Sequence, residues 1–359
     1  MTAANRQSRG PSRAAGGEGA PATTGGGRIR IGISACLLGE EVRFDGGHKR
    51  DHFLTDVLGP YVEWVPICPE VEIGLGTPRE TLRLVRVQGA PGLRMITTRT
   101  GVDHTDGMNR WAARRVAALA SEEPDLCGYV LKKDSPSCGM ERVKTYGAGG
   151  MPERNGRGLY AAILMNRFPS LPIEEEGRLS DPRLRENFIE RVFACRRLKN
   201  LFAPGWTMGA LVRFHTAHKM TLLAHSTTKY NELGQLVATG ARMAKRDLRE
   251  AYERLFMSTL AIVATTRRHT NVLMHMLGHL KTKLDTDSRH ELLRSIEDYR
   301  QGLVPLIVPV TLLRHHVRAL KIDYLAGQTY LEPHPRELRC CATTSDDRAH
   351  LERPHAACR

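Results

Sequence analysis

Hydrophobic positions change their period once along the chain. Up to about residue 170, short apolar runs alternate with amphipathic stretches. IRIGISACLLG (29–39) predicts a strand ending in a turn. YVEWVPICPE (61–70) predicts a strand stopped by proline, and GLRMITTR (92–99) a third strand. MNRWAARRVAALASEEP (108–124) has helical spacing, with Trp111, Val116 and Leu119 among its apolar positions, and stops at Pro124. LCGYVLKKDSPSCG (126–139) predicts a buried strand running into a polar loop, and GRGLYAAILMNRFP (156–169) another helix. This alternation predicts an α/β fold with a largely parallel sheet, in which ligands bind at the carboxyl ends of the strands.

Beyond residue 182 the pattern is helical throughout. Helices are predicted over 183–200, 206–226, 228–238, 240–266, 267–284, 287–301 and 305–323. The organisation expected is therefore an α/β domain over 28–170, a linker over 171–189 with three prolines in or beside it (Pro169, Pro172 and Pro182) and the acidic trio Glu174–Glu176, and an all-α domain over 190–340. Residues 1–27 are rich in Gly, Ala, Ser and Pro without a hydrophobic period, and predict a disordered tail. An organellar transit peptide is the alternative there, opposed by the Gly and Pro. Residues 341–359 predict a flexible tail.

Composition supports a folded, two-domain chain: 359 residues, 41% hydrophobic and 26% charged. No apolar run approaches the roughly 18 residues of a membrane span, and the N-terminus lacks the apolar core of a secretory signal. A soluble cytoplasmic protein is the expectation. The net charge of +14 is unevenly placed. Residues 31–190 hold 21 Lys and Arg against 23 Asp and Glu, whereas residues 191–340 hold 24 against 12. A basic domain joined to a near-neutral one points to polyanion binding; a solvated surface kept for solubility is the plainer reading.

The eight cysteines carry the candidate chemistry. Without an export signal a disulfide framework is not expected. Cys36, Cys68 and Cys138 each follow a predicted strand, so one sheet edge could gather them although they lie 32 and 70 residues apart. Cys127 sits in an apolar run and reads as a buried hydrophobe. Cys340, Cys341 and Cys358 fall in the tail and read as incidental. None of the three spacings is the CxxC of a structural zinc site. An iron–sulfur cluster tolerates distant ligands; cubanes normally take four thiolates, so three would leave one iron open to act as a Lewis acid toward a soft sulfur.

The neighbours suit a reaction. Glu70, two residues after Cys68, could move protons, a surface carboxylate being the other reading. Ser135 and Ser137 could bond a polar substrate edge, and Arg79, Lys132 and Lys133 could hold an anion or polarise a carbonyl. Gly46, Gly47, Gly74, Gly76 and Gly139 would allow close backbone approach or mark ordinary turns.

ISACLLGEEVRFDGGHK (33–49), VPICPEVEIGLGTPRETLRL (65–84) and YVLKKDSPSCG (129–139) resemble the thiouracil desulfidase family over about residues 28–170. The resemblance implies a 4Fe-4S cluster held by Cys36, Cys68 and Cys138, with Glu70 handling protons and a serine, Ser135 or Ser137, assisting. The family often has Tyr at Phe44, so no hydroxyl role carries over there. Residues 190–340 resemble the YbgA-like helical family through FHTAHKMTLLAHS (214–226), Tyr230, HTNVLMHMLGHLKTKL (269–284), VPLIVPVTLLRHH (304–316) and QTYLEPHP (328–335). Fusions of the two resemble bacterial enzymes that remove sulfur from 4-thiouridine in tRNA. This implies a non-redox desulfidase giving uridine and sulfide, with tRNA as partner and the target nucleotide flipped or exposed. Arg242, Lys245, Arg246 and Arg249, at helical spacing, are the candidate phosphate-tracking stripe; a solvated face is the alternative. Desulfidation of free thiouracil and a non-catalytic iron–sulfur nucleic-acid-binding protein stand as the competing functions.

Ten of the fifteen histidines lie between residues 191 and 340. His215 and His218 (i,i+3), and His275 and His279 (i,i+4), are spaced to share helix faces, with His269 one and a half turns before His275. A bundle metal site would also need carboxylates, which these helices lack, and HEXXH is absent. RNA contacts or packing hydrogen bonds are expected of them instead.

Overall fold

The computed structural model describes residues 27–339, except Gln88, Ala90, Pro91 and residues 148–150. The tails expected over 1–27 and 341–359 therefore lie outside the described residues apart from Gly27, as do Cys340, Cys341 and Cys358. The strands are β1 (Ile29–Ser34), β2 (Val62–Ile67), β3 (Leu82–Arg86), β4 (Leu93–Thr97), β5 (Leu126–Leu131), β6 (Val143–Tyr146), β7 (Pro152–Gly156) and β8 (Ile173–Glu175). Among them run α1 (Pro69–Glu72), α2 (Thr105–Glu122) and α3 (Leu159–Arg167).

Two sheets form. The first, in the order β2-β1-β5-β8, is wholly parallel, as the alternating pattern predicts. The second, β4-β3-β6-β7, is mixed: β3 runs antiparallel to β4 and parallel to β6, and β6 runs antiparallel to β7. GLRMITTR is thus a strand, but in a different sheet from the one expected. β7, PERNG, is almost wholly exposed and polar, so it offers no apolar period to read.

Alternation along β1 decides how the two halves meet. Ile29, Ile31 and Ile33 point to one face of the parallel sheet, where Phe188, Ile189 and Val192 pack with them in one core. On the other face Val65, Ile67, Tyr129 and Leu131 share a core with Trp111, Val116 and Leu119 of α2 and Tyr160 and Leu164 of α3. Parallel strands need both faces covered, and the second cover is α4 (Pro182–Leu201), the first helix of the helical half. It approaches so closely that a Cβ at Gly128 would lie 2.9 Å from Val192. Asp181 caps α4, its side chain accepting from the amides of Arg183 and Leu184, with Pro182 at the first helical position.

The stretch 171–189, expected as a linker, instead carries edge strand β8 and the start of α4. Its prolines flank β8 rather than marking a loose connection. The helices that follow are α5 (Met208–Ala217), α6 (Lys219–His225), α7 (Thr227–Thr239), α8 (Lys245–Leu260), α9 (Thr266–Leu280), α10 (Thr286–Gln301), α11 (Ile307–Ala319), α12 (Asp323–Ala326) and α13 (Arg336–Arg339). The helix expected over 206–226 is interrupted at His218, whose buried ring stacks on Phe214 and meets Phe256 edge-on. Leu211, Leu222, Leu233, Leu248 and Tyr252 join the core shared with the sheet, while α9, α10 and α11 close a further core with Met220 and Ala224 of α6. Among the described residues no helix is long and apolar enough to cross a membrane.

Candidate active site

Neighbouring strands β2, β1 and β5 end at one edge of the parallel sheet. Cys36 follows β1 in a 3-10 turn, Ala35–Leu38, and Cys68 follows β2 at the N-cap of α1. Cys138 lies in the loop after β5. All three line one cavity of about 310 Å³, together with Phe44, Glu70, Arg79, Lys132, Lys133 and Ser135. The adjacency of three strand ends converts separations of 32 and 70 residues into a common wall.

The thiols are unpaired and uncharged in isolation. Burial pushes Cys36 up to about 11, against the pull of Lys132 and with a further push from Cys68. Burial raises Cys68, and it raises Cys138 well above the ordinary thiol range, with Cys36 and Cys68 adding to the effect on Cys138. Cys36 therefore feels the field of Cys68, and Cys138 that of both. Three soft donors around a cavity that disfavours bare thiolates suit a positively charged, sulfur-preferring group. No group of three His, Cys, Asp or Glu side chains suited to a single metal ion occurs among the described residues. A cubane cluster asks for a different arrangement, since each thiolate binds its own iron and the donors stand apart. The donor set fits such a cluster.

Glu70 lies in the first turn of α1. Its Oε2 accepts from Arg79 Nη2 at 2.6 Å and Nε at 3.0 Å. Its Oε1 accepts from Ser137 Oγ at 2.8 Å and faces Ser135 Oγ at 3.5 Å. The two serines occupy different places. Ser135 lines the cavity, and its Oγ accepts the amides of Ser137 (3.2 Å) and Cys138 (3.1 Å). Ser137 is fully buried behind Glu70. A Cβ at Gly158 would fall 2.4 Å from the Ser137 carbonyl oxygen, so only glycine lets the start of α3 press against this loop.

Two of the three candidate cations are committed. Arg79 holds Glu70 and also donates to the carbonyls of Val42 and Gly76. Lys132 Nζ meets Glu176 at 2.5 Å. Lys133, exposed at the cavity, forms no ion pair among the described residues.

The acidic trio builds the site, which composition alone did not reveal. Glu176 also accepts the Lys133 amide, Glu175 accepts the Met140 amide at 2.6 Å, and Glu174 pairs with Arg178. Ser34, at the end of β1, accepts the Lys132 amide at 3.0 Å. The signal available was position: an acidic run in an edge strand beside a cationic loop.

Other candidates lie away from this cavity. Arg242, Lys245, Arg246 and Arg249 are all exposed, but Arg242 ends a separate 3-10 turn, Gly240–Arg242, ahead of α8, so the four do not follow one helix. Arg246 pairs with Asp247 and Glu250, Arg249 with Glu253, and Lys245 lies over the Trp206 ring. Much of the stripe is locally neutralised.

The histidines separate into structural roles. His218 is buried; its Nδ1 donates to the Phe214 carbonyl, so Nε2 accepts from Arg197 at 3.2 Å. Burial, then Arg197, brings it down to about 3. His215 stacks on Tyr230 and meets the Tyr252 hydroxyl. His275 and His279 are exposed, their rings nearly perpendicular. His225, which spacing did not single out, has both ring nitrogens on acceptors, Ile262 O at 2.5 Å and Glu190 Oε2 at 3.0 Å, an arrangement for an imidazolium.

Two family profiles match the chain, one on each half. Residues 31–176 match the family profile described as 2-thiouracil desulfurase, and residues 219–335 match one described as a protein of unknown function (DUF1722). The uncharacterized protein YbgA of Escherichia coli K12 is 34% identical over 155 residues, 43% of this chain and 92% of YbgA. A solved structure of the [4Fe-4S]-dependent thiouracil desulfidase TudS is 30% identical, covering 43% of this chain and 94% of that one, with a TM-score of 0.34. The chain belongs to the YbgA-like family and carries a 2-thiouracil desulfurase domain ahead of its helical half.

Proposed function

We propose that this protein is an iron–sulfur-dependent desulfidase acting on a thiolated uracil, with 4-thiouridine in tRNA as its substrate. The observation that carries the reading is the common cavity of Cys36, Cys68 and Cys138 with Glu70 on its wall. A 4Fe-4S cluster held by these three cysteines would supply, when bound, an iron Lewis acid with affinity for a thiocarbonyl sulfur. Thiouridine and water give uridine and hydrogen sulfide, with no net change of oxidation state.

The chain's own groups handle water and protons. Glu70 Oε1, with Oε2 held on Arg79, takes the proton of the attacking water and returns it to the departing sulfur. Ser135, on the cavity wall, bonds the polar edge of the base, while Ser137 orients the carboxylate from behind. The recessed cavity requires the nucleotide to leave its stack.

tRNA rather than a free base is supported by the charge excess of the helical half, 24 Lys and Arg against 12 Asp and Glu over residues 191–340. Arg242, Lys245, Arg246 and Arg249 remain the proposed phosphate contacts.

The test is anaerobic reconstitution followed by incubation with thiolated tRNA and, separately, free 2-thiouracil, with nucleoside analysis and sulfide release as readouts. Loss of 4-thiouridine from tRNA at a rate well above that on the free base is expected. Unchanged 4-thiouridine with full iron and sulfide content would overturn the tRNA reading.

A further inference from the structure

We propose that Phe44 is the platform on which the thiolated pyrimidine stacks, and so a substrate-positioning residue of this site. The inference rests on the thio-base reading above and adds the group that orients the ring. A pyrimidine is flat and conjugated, and an orienting pocket offers it a flat apolar surface. Phe44 is the one aromatic ring among the described residues lining the cavity of Cys36, Cys68 and Cys138.

The ring has no packing role to explain it. Phe44 is 38% exposed and belongs to none of the three apolar cores. Burying it against a ligand removes that exposed apolar surface from water. The guanidinium of Arg43 sits over the ring, 5.2 Å from its centroid, and is itself tied to Asp45 at 3.3 Å. Such a cation supports one face of an aromatic ring.

The segment that carries Phe44 is held in place. Gly46 donates its amide to the Arg43 carbonyl at 3.0 Å, and Arg43 its own to the Gly47 carbonyl at 3.2 Å. The Arg79 amide donates to the Phe44 carbonyl at 2.8 Å, and Arg79 Nη1 to the Val42 carbonyl at 3.0 Å. Arg79 is also the residue that grips Glu70. One arginine thus locates both the stacking ring and the proton-handling carboxylate. A base lying on Phe44 is thereby referred to Glu70 through a single anchor, a form of preorganisation that limits the misplacement of reacting atoms.

The test compares Phe44→Leu, Phe44→Tyr and Phe44→Trp with the wild type, each reconstituted anaerobically and matched for iron and sulfide content. Leu keeps apolar bulk without a flat ring. Phe44→Leu is expected to raise KM for the thiolated substrate about tenfold and to lower kcat severalfold, the base being both less tightly held and less well aimed at Glu70, and Tyr and Trp to restore both. A second readout needs no turnover. Thiocarbonyl bases are photo-activated by long-wave ultraviolet light, so irradiated complexes should cross-link to the tryptic peptide 44–49, and much less in Phe44→Leu. Normal KM in Phe44→Leu together with cross-links elsewhere would overturn the role of Phe44 while wild-type turnover left the desulfidase reading standing. A wild type that neither binds nor converts any thio-pyrimidine would instead overturn both.

Discussion

Arg79 grips one oxygen of Glu70 with two donors, at 2.6 and 3.0 Å, while both side chains are largely withdrawn from solvent at 7% and 15% exposure. This bidentate geometry leaves Oε1 as the carboxylate oxygen turned to the serines. Glu70→Gln keeps the size and removes the proton acceptor. It is expected to lower kcat by about 10²- to 10⁴-fold with iron content unchanged. Arg79→Met strands a buried carboxylate and should cost about 3 kcal/mol of stability in denaturant unfolding. Glu70→Gln activity within twofold of wild type would remove Glu70 from the mechanism.

Ser135 and Ser137 should separate experimentally. Ser135→Ala deprives the amides of Ser137 and Cys138 of their acceptor, loosening the loop that carries Cys138. Lowered iron content after desalting is expected. Ser137→Ala removes the 2.8 Å bond to Glu70 and a weak 3.7 Å contact with Met95 Sδ, and should reduce kcat about tenfold, the size of one charge-assisted hydrogen bond, with iron retained. Equal iron loss in both variants would contradict this division.

Gly158→Ala tests the close approach of α3. The added Cβ meets the Ser137 carbonyl carbon at 2.5 Å and the Cys138 amide nitrogen at 2.9 Å, both backbone atoms without a flexible end. The loop must shift. Expected are a destabilisation of about 1–3 kcal/mol, as for overpacking elsewhere, and poor cluster incorporation by iron analysis. A fully loaded, wild-type-like Gly158→Ala would show that the loop yields freely.

Stability should depend on pH through His225 and Glu190. Burial would lower His225, but Glu190 outweighs it, against Arg191, and its folded pKa lies above the ordinary value. Its contribution is therefore full below about pH 6.5 and is lost as pH rises through that raised value. Burial would raise Glu190, but His225, with His269 and His334 beyond it, brings it down to about 2. Its contribution holds above the unfolded carboxylate range and fades as pH falls toward 2. Denaturant unfolding of wild type should weaken from pH 6 to pH 9, and His225→Gln should flatten that slope. Parallel curves for the two proteins would rule the pair out as the source.

The helical half also covers one face of the sheet. A chain ending at Asp181 would bare Ile31, Ile33 and Val130, which α4 now covers. Such a truncation is expected to be insoluble or to bind a hydrophobic dye strongly. A monomeric, cooperatively folding 28–181 fragment would contradict the shared core.

Local pattern made several elements readable. Short apolar runs ended by a turn, a proline or a polar loop marked β1, β2 and β5, and helical spacing marked α2, α3, α4 and most helices after them. The mixed second sheet was harder, because β7 is polar and exposed on most of its length and β6 has only four residues. The linker expectation failed for a related reason. Three acidic residues look like a solvated break in one dimension, yet here they end and follow an edge strand, and their charges are met by Arg178, Lys132 and the amides of the Cys138 loop.

Residue types and their order determined the chemistry on offer: cysteines after strands, a carboxylate two residues beyond one of them, paired serines before another, and a basic helical half. Those properties are covalent and local, so a sequence states them. Which groups meet was decided by the lateral order β2-β1-β5-β8, which sets three strand ends side by side. That order also commits Lys132 to Glu176 and brings Ser137 to Glu70 behind Ser135 on the cavity wall. Strand order and hydrogen-bond partnership are relations across long sequence separations, and they exist only once the two faces of the sheet have been packed.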